Sequence, residues 1–366
     1  MKFFLYFSLI VIGWSSAYTQ HVDQSGNSHE TSPLFNEEKL LEIQLEYSKT
    51  NILTNSNDST YMKSNFSYKT EEGGLKSMDI EIRVRGNYRR LNCYFLPLRL
   101  KIKEDVSQGT IFEEDRKLKM VLPCLNSTYA NDDVLKEFLA YKIFQILSPY
   151  HFKTKLLRIQ LEEEKGNKKN DHDLIGFFIQ DDDQLAIQNK GKQIKRRIHP
   201  QNQDPASSVR NALFQYMIGN TDYSIGYRHN EKLFFMDDKI VPIPYDFDMS
   251  GLVNASYAVV SAINNKTLPI TKVTDRLYRG FDRDDEILQQ IRNEFLNYEQ
   301  DIYTMMDRHQ TYFRYPKEFK ECKSYIEDFY KIIKDDKKSA SKQQIACTKN
   351  GEKCPNCTPC MQELFL

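Results

Sequence analysis

The sequence predicts an α+β fold, in which a β-rich part holding one long helix precedes a helix-rich part. Period-two alternation dominates residues 36–122, a broad apolar helical face covers 132–147, and helical periodicity returns from 285 to about 334. Of 366 residues, 40% are hydrophobic and 28% charged, which is enough apolar surface for a core and excludes wholesale disorder. No heptad series, Gly-X-Y period or internal repeat is present, so long coiled coils, collagen and repeat arrays are excluded.

The elements follow in order. Ile43–Tyr47, Met78–Val84 and Leu98–Ile102 alternate as half-buried antiparallel strands do, with Gly73-Gly74 as a turn. Asp132-Asp133 opens a helix to about Leu147, with Glu137 on it, and Pro149 stops it. Lys155–Leu161 and Leu174–Ile179 read as strands, and the charged stretch Glu162–Asp173 between them as a solvated loop. Asp204-Pro205 supplies an N-cap and a first helical position for a helix that ends at Gly219-Asn220. Two strands follow near 232–236 and 240–243. The expected division is a signal peptide at 1–17, a flexible leader at 18–35, a β-rich lobe at 36–165, a helix-rich lobe at 166–334 and a Cys-rich tail at 335–366.

Lys2, the apolar run Phe3 to Trp14 and the small residues Ser15, Ser16 and Ala17 have the order of a secretory signal peptide. The run is shorter than the roughly 20 residues that a bilayer span needs. No later segment is apolar enough to cross a membrane, so the expected product is secreted or otherwise extracytoplasmic. Seven cysteines suit an oxidising compartment, with Cys93 and Cys124 able to pair and Cys322 alone. Cys347, Cys354, Cys357 and Cys360 suit disulfides better than a metal, because an iron–sulfur run lacks its fourth ligand after Cys360.

With 51 Lys+Arg against 51 Asp+Glu, the chain has no surplus cations to replace phosphate counterions, which argues against a dedicated nucleic-acid binder. There is no Gly-x-Ser-x-Gly elbow and no His-Glu-x-x-His, so a serine hydrolase or zinc protease finds no support. The segment Gly219–Gly251 carries the strongest chemical signal. Phosphoryl transfer from ATP needs a carboxylate for the acceptor hydroxyl, then an amide oxygen and a further carboxylate for Mg²⁺. Asp222 after a helix, Asn230 a few residues on, and Asp246 with Asp248 at a strand end supply that set in that order. Asp246 and Asp248 face the same way if their piece is extended, and they then repel unless a cation or proton lies between them. Turns use the same residue types, since Asp bonds the nearby backbone.

Five short motifs in order add to this: Arg85-Gly86-Asn87, Phe95-Leu96-Pro97-Leu98-Arg99-Leu100, Gly219-Asn220-Thr221-Asp222, His229-Asn230 and Pro244-Tyr245-Asp246-Phe247-Asp248. Together they resemble the CotH (spore coat protein H) kinase family, over most of residues 80–251. The resemblance implies a two-lobed, atypical protein-kinase-like fold, exported, that phosphorylates protein hydroxyls with ATP and Mg²⁺ or Mn²⁺. It implies Asp222 as the catalytic carboxylate, Asn230 as a metal ligand and Asp246 or Asp248 as the main metal carboxylate. Two features depart from the pattern. Asp222 and Asn230 stand eight residues apart, against about five in the kinase catalytic loop, and Tyr245 replaces a Trp. No Gly-rich phosphate loop is present.

A kinase pairs a phosphate-binding Lys with a helix Glu. Lys101 and Lys103 lie in one candidate strand region, Lys117 and Lys119 in the next, and Glu137 is on the long helix. We expect Lys101 to pair with Glu137. Arg85 and Arg99 suit phosphates or acidic side chains equally. Gly86-Asn87 reads as a tight turn, Asp181-Asp182-Asp183 as a solvated turn, and the basic run Lys190–Arg197 as a solvated loop able to attract an acidic substrate segment. The main alternative to a kinase is a catalytically inactive kinase-fold binding or cell-envelope protein; a Ca²⁺-dependent adhesion protein is the third reading.

Overall fold

The computed structural model describes residues 32–335 apart from 37–38, 58, 87, 167, 225–227 and 264–265, with the backbone at 348–349 and 352–353. The expected signal peptide, most of the leader, Asn87 and the tail cysteines Cys347, Cys354, Cys357 and Cys360 lie outside the described residues.

The alternating segments close into a barrel. Its strands are β1 (Leu41–Tyr47), β2 (Met62–Lys69), β3 (Leu75–Val84), β4 (Leu98–Lys101), β5 (Lys117–Val121), β6 (Thr154–Lys165) and β7 (Lys168–Gln180). They run in the order β1-β2-β3-β4-β5-β7-β6. Neighbours are antiparallel except for the closing pair, where β1 lies parallel to β6 with Leu41 opposite Leu157. Closure leaves no free sheet edge. In β1, Leu41, Ile43, Leu45 and Tyr47 point inward while Glu42, Gln44 and Glu46 face water. Phe66, Ile80, Leu100, Leu118 and Phe178 join them in one apolar cluster. Truncating such a residue, for example Phe66→Ala, costs about 3–5 kcal/mol.

The charged stretch Glu162–Asp173 is not a loop. β6 and β7 continue through it as a hairpin, with Glu162 opposite Asp171 and Glu164 opposite Lys169. Backbone bonds to β1 extend to Glu163, and Lys169 pairs with Glu162 on the outer face. Charge patterning marks a solvated face there, and a solvated face is compatible with a strand.

Four short helices punctuate the strands: α1 (Pro33–Asn36), α2 (Lys49–Asn55), α3 (Tyr88–Asn92) and α4 (Glu104–Ser107). The long helix α5 (Ala130–Leu147) is buried on most of its circumference. One side meets the barrel, where Phe138 packs on Phe177 with centroids 5.7 Å apart. The other meets the C-terminal part, where Phe144 packs on Phe214 at 4.8 Å. Asp132 lies in the first turn of the helix, as expected, and its carboxylate accepts from the backbone N–H groups of Arg314 and Tyr315 at 2.9 and 3.0 Å.

The remaining chain holds α6 (Asp182–Gln188), β8 (Lys192–Ile194), α7 (Pro205–Met217), β9 (Glu231–Met236), β10 (Lys239–Pro244), α8 (Asp285–Asn297), α9 (Glu299–His309) and α10 (Pro316–Lys334). β10, β9 and β8 form a small antiparallel sheet. Asp204 caps α7 by accepting from the Ser207 N–H at 2.9 Å. Gly219, in the left-handed region at φ 62°, terminates α7 and leaves no room for a Cβ against the Tyr325 hydroxyl. A second apolar cluster joins α5, α7 and the last three helices. The architecture is therefore α+β: a seven-stranded mixed barrel, one long central helix, and helices concentrated toward the C-terminus.

Candidate functional site

Arg89, on α3, is the centre of an ionic group. Its Nε donates to Asp248 Oδ2 at 3.0 Å, and its Nη2 donates to Glu137 Oε2 at 2.7 Å and lies 3.8 Å from Asp246 Oδ1. Arg89, Glu137 and Asp248 are all buried, while Asp246 is partly exposed. The local backbone explains the reach. Cys93 closes a helical turn onto the Arg89 carbonyl at 3.0 Å. Its disulfide to Cys124, in the loop ahead of α5, then pins that turn near the helix that carries Glu137. Three carboxylates face one guanidinium, so the group lacks positive charge. Burial pushes the Glu137 carboxyl upward; Arg89 opposes this, and Asp248 and Asp246 add to it. Asp248 is raised by burial in the same way, against Arg89. Glu137 Oε1 is buried without a hydrogen bond.

Asp246 and Asp248 lie just past β10, where the chain is no longer extended, and Asp246 sits at φ 65°. That conformation is costly for a non-glycine residue, and such positions cluster at functional sites. The Asp246 N–H donates to the Tyr141 hydroxyl of α5 at 2.9 Å, which holds the bend. The extended-strand expectation is corrected, yet both carboxylates still meet Arg89.

Asp222 and Asn230 come together despite their wide spacing. Ser224 and His229 exchange backbone hydrogen bonds at 3.0 and 3.1 Å, which brings Asn230 back toward Asp222. Asn230 Nδ2 then donates to the Asp222 carbonyl at 2.6 Å and to Oδ2 at 3.1 Å. His229 Nε2 lies 3.3 Å from Asp222 Oδ1, and Ser261 Oγ donates to the same oxygen at 3.4 Å. Burial raises the Asp222 pKa, but the bonds from His229, Asn230 and Ser261 outweigh it and hold the carboxylate below its usual range. The Tyr245 N–H donates to the Asn230 carbonyl at 3.1 Å, so Asn230 stands across from the Asp246 bend.

Arg279 supports the Asp222 turn from below. It is buried, and its Nη1 donates to the carbonyls of Thr221 at 2.7 Å and Tyr223 at 2.6 Å, the two residues flanking Asp222. Arg276 and Arg283 clamp carbonyls in the same way: Arg276 donates to Met217, and Arg283 Nη2 donates to Pro200 at 2.6 Å.

A second ionic group is cationic. Lys119 of β5 and Lys232 of β9 both bond the carboxylate of Asp182, at the start of α6. Burial, together with the Lys232 charge, lowers the Lys119 pKa to about 7 against the pull of Asp182. The two ammoniums hold Asp182 well below the carboxylate range, although burial acts the other way. Asp182 is thus a half-buried partner of two lysines, not the solvated turn expected. The Arg85 guanidinium acts electrostatically on Lys119, Tyr141 and Tyr245. Lys232 lies 5.0 Å over the Tyr245 ring, one residue before Asp246.

Lys101 does not meet Glu137. Alternation in β4 puts Leu98 and Leu100 in the barrel and Lys101 on the outside, where it bonds Glu81 at 2.9 Å and is 45% exposed. Arg89 takes the helix glutamate instead. The quoted motifs skip from Asn87 to Phe95, and Arg89 falls in that gap. Arg89-Arg90 beside a cysteine was the available signal. Among the described residues no three His, Cys, Asp or Glu side chains gather as a ready-made metal centre. The chain matches no protein-family model, and no curated protein is significantly similar to it.

Proposed function

We propose that the chain is an exported, CotH-like protein kinase that transfers a phosphoryl group from ATP to a protein hydroxyl with Mg²⁺ or Mn²⁺. Arg89 carries this reading. A protein kinase ties a helix Glu to its phosphate site through a lysine. Here one buried arginine ties Glu137 of the long helix to Asp248 of the strand-end motif. That bridge supports a two-lobed kinase-like arrangement of the barrel and the helical part. The disulfide supports an oxidising, extracytoplasmic compartment. No described helix is long and apolar enough to cross a membrane.

The residues fit a divalent ion. Asp246 and Asp248 offer the hard carboxylate oxygens that Mg²⁺ and Mn²⁺ take. The excess of carboxylates over Arg89 and the orphaned Glu137 Oε1 leave room for one more cation. Mg²⁺ commonly takes one or two protein carboxylates and completes its shell with phosphate and water. When bound, it would offset charge on the nucleotide's phosphates. Lys119, Lys232 and Arg85 add positive charge on the Tyr245 side of the carboxylates. Asp222, held ionised, accepts the hydrogen bond of the acceptor hydroxyl and takes its proton as that oxygen attacks. Asn230 and His229 keep its carboxylate in place.

The test combines binding and turnover. ATP with Mn²⁺ should raise the melting temperature, and ATP-dependent phosphorylation should vanish in Asp222→Ala and Asp246→Ala with unchanged circular dichroism. Full activity in both variants removes the site assignment. One observation favours the catalytically inactive alternative: the Asn230 amide is engaged with Asp222. Absence of any thermal shift with roughly millimolar ATP and Mn²⁺ decides for that reading.

A further inference from the structure

The basic run Lys190–Arg197 does not lie apart from the candidate site. Its middle is strand β8, which pairs antiparallel with β9, Ile194 opposite Leu233. That register carries the residues after Ile194 toward the Asn230 end of β9. Arg228 fixes the approach, because its Nη1 donates to the Lys195 carbonyl. The next residue, His229, is the one that meets Asp222. Arg228 thus ties the Lys195 backbone to the neighbour of His229, and Lys195, Arg196 and Arg228 form a basic rim along this edge of the small sheet.

The rim is a local surplus of charge. Elsewhere several cations meet carboxylates: Lys119 and Lys232 share Asp182, Arg99 meets Asp181, and Lys136 meets Asp133 and Glu318. Lys195 and Arg196 are exposed, and neither pairs with a carboxylate among the described residues. In a chain with 51 bases and 51 acids, these adjacent exposed cations make a local positive edge. The pattern around it is a negative centre, Asp222 and Asp246, with a positive edge. A continuous polyanion laid across such a site meets repulsion at the centre. An acidic peptide with a neutral hydroxyl in its middle meets none there.

We infer that Lys195 and Arg196 select an acidic acceptor, a peptide whose Ser or Thr is flanked by Glu or Asp. This rests on the phosphotransferase reading of Asp222, but the surface is tested without it. Fluorescein-labelled peptides with one Ser among Glu residues, or among Lys residues, are titrated with the full chain, and anisotropy is read at low and high salt. The wild type should bind the Glu peptide at least tenfold more tightly, with the difference shrinking in salt. Lys195→Glu with Arg196→Glu, both surface changes, should lose that preference with unchanged circular dichroism. In phosphorylation assays the same variant should raise KM for the Glu peptide at least tenfold and keep kcat. Equal binding of the two peptides, or preference for the Lys peptide, overturns the inference. So does a single-stranded oligothymidylate that binds as tightly as the Glu peptide. Charge-selective binding lost in the double variant, without phosphorylation of any peptide, upholds the surface and sinks the phosphotransferase reading.

Discussion

Arg89 and Glu137 stand 48 residues apart in the chain and 2.7 Å apart in the fold. The pair is buried and shares its guanidinium with Asp248. Removing one member of such a group strands the others without compensation, which typically costs 3–5 kcal/mol, whereas replacing both by apolar groups costs far less.

Arg89→Met should therefore destabilise the protein by about 3–5 kcal/mol in denaturant unfolding. Adding Glu137→Leu should recover part of that loss, because one of the stranded carboxylates is gone. A single-variant cost under about 1 kcal/mol would mean that Arg89 is already well hydrated, as exposed pairs are.

Arg279 predicts a split between binding and turnover. Its guanidinium bonds the carbonyls on either side of Asp222 without reaching the proposed nucleotide residues. Arg279→Gln should let that turn shift, and a misplacement of about 1 Å costs on the order of 100-fold in rate. The expected result is a large fall in kcat, little change in KM for ATP, and partial rescue by Arg279→Lys. Hydrogen exchange should quicken at 220–224 and not along β9. Equal losses in kcat and in global stability would mark the residue as structural only.

Glu231 gives a pH dependence with a definite sign. It is buried beside Asn211, and burial lifts its pKa to about 8, with the nearby Gln203 amide and the Asn211 bond opposing. The folded form keeps a proton that the unfolded chain releases near pH 4.5. Between those values the folded state binds more protons, so this group's contribution to stability falls as pH rises from 4.5 to 8. Glu231→Gln should be nearly neutral at pH 5 and stabilising at pH 8, by about 1–3 kcal/mol. Melting curves from pH 5 to pH 9 check this, and a flat difference between variant and wild type refutes it.

Much of the fold is legible in the sequence because it is local. Alternation marks β1, β3 and β4, the Asp204-Pro205 pair marks the start of α7, and the Cys93–Cys124 pairing is present. The hidden parts share a cause. Arg89 and Arg279 sit outside the quoted motifs, and their partners are 48 and 58 residues away. Asp182 looks like a surface turn because the two lysines that pair with it come from β5 and β9. Residues 162–173 look like a loop because charge reports only which side of a strand meets water. Of the site, Asp222, Asn230, Asp246 and Asp248 are readable as residues with oxygen ligands. The arginines that hold them are not, since an arginine on its own predicts no particular partner.

The parallel seam between β1 and β6 also sets an order of events. β1 ends at Tyr47, but its second neighbour does not begin until Thr154, after α5 has been made. Until then one side of β1 has no mate, and the ring stays unsealed. Such distant pairing is slow to form, so the emerging chain must spend that interval with a sticky flank on show. Helper proteins that shield bare strands would act in that interval, before the seam zips shut.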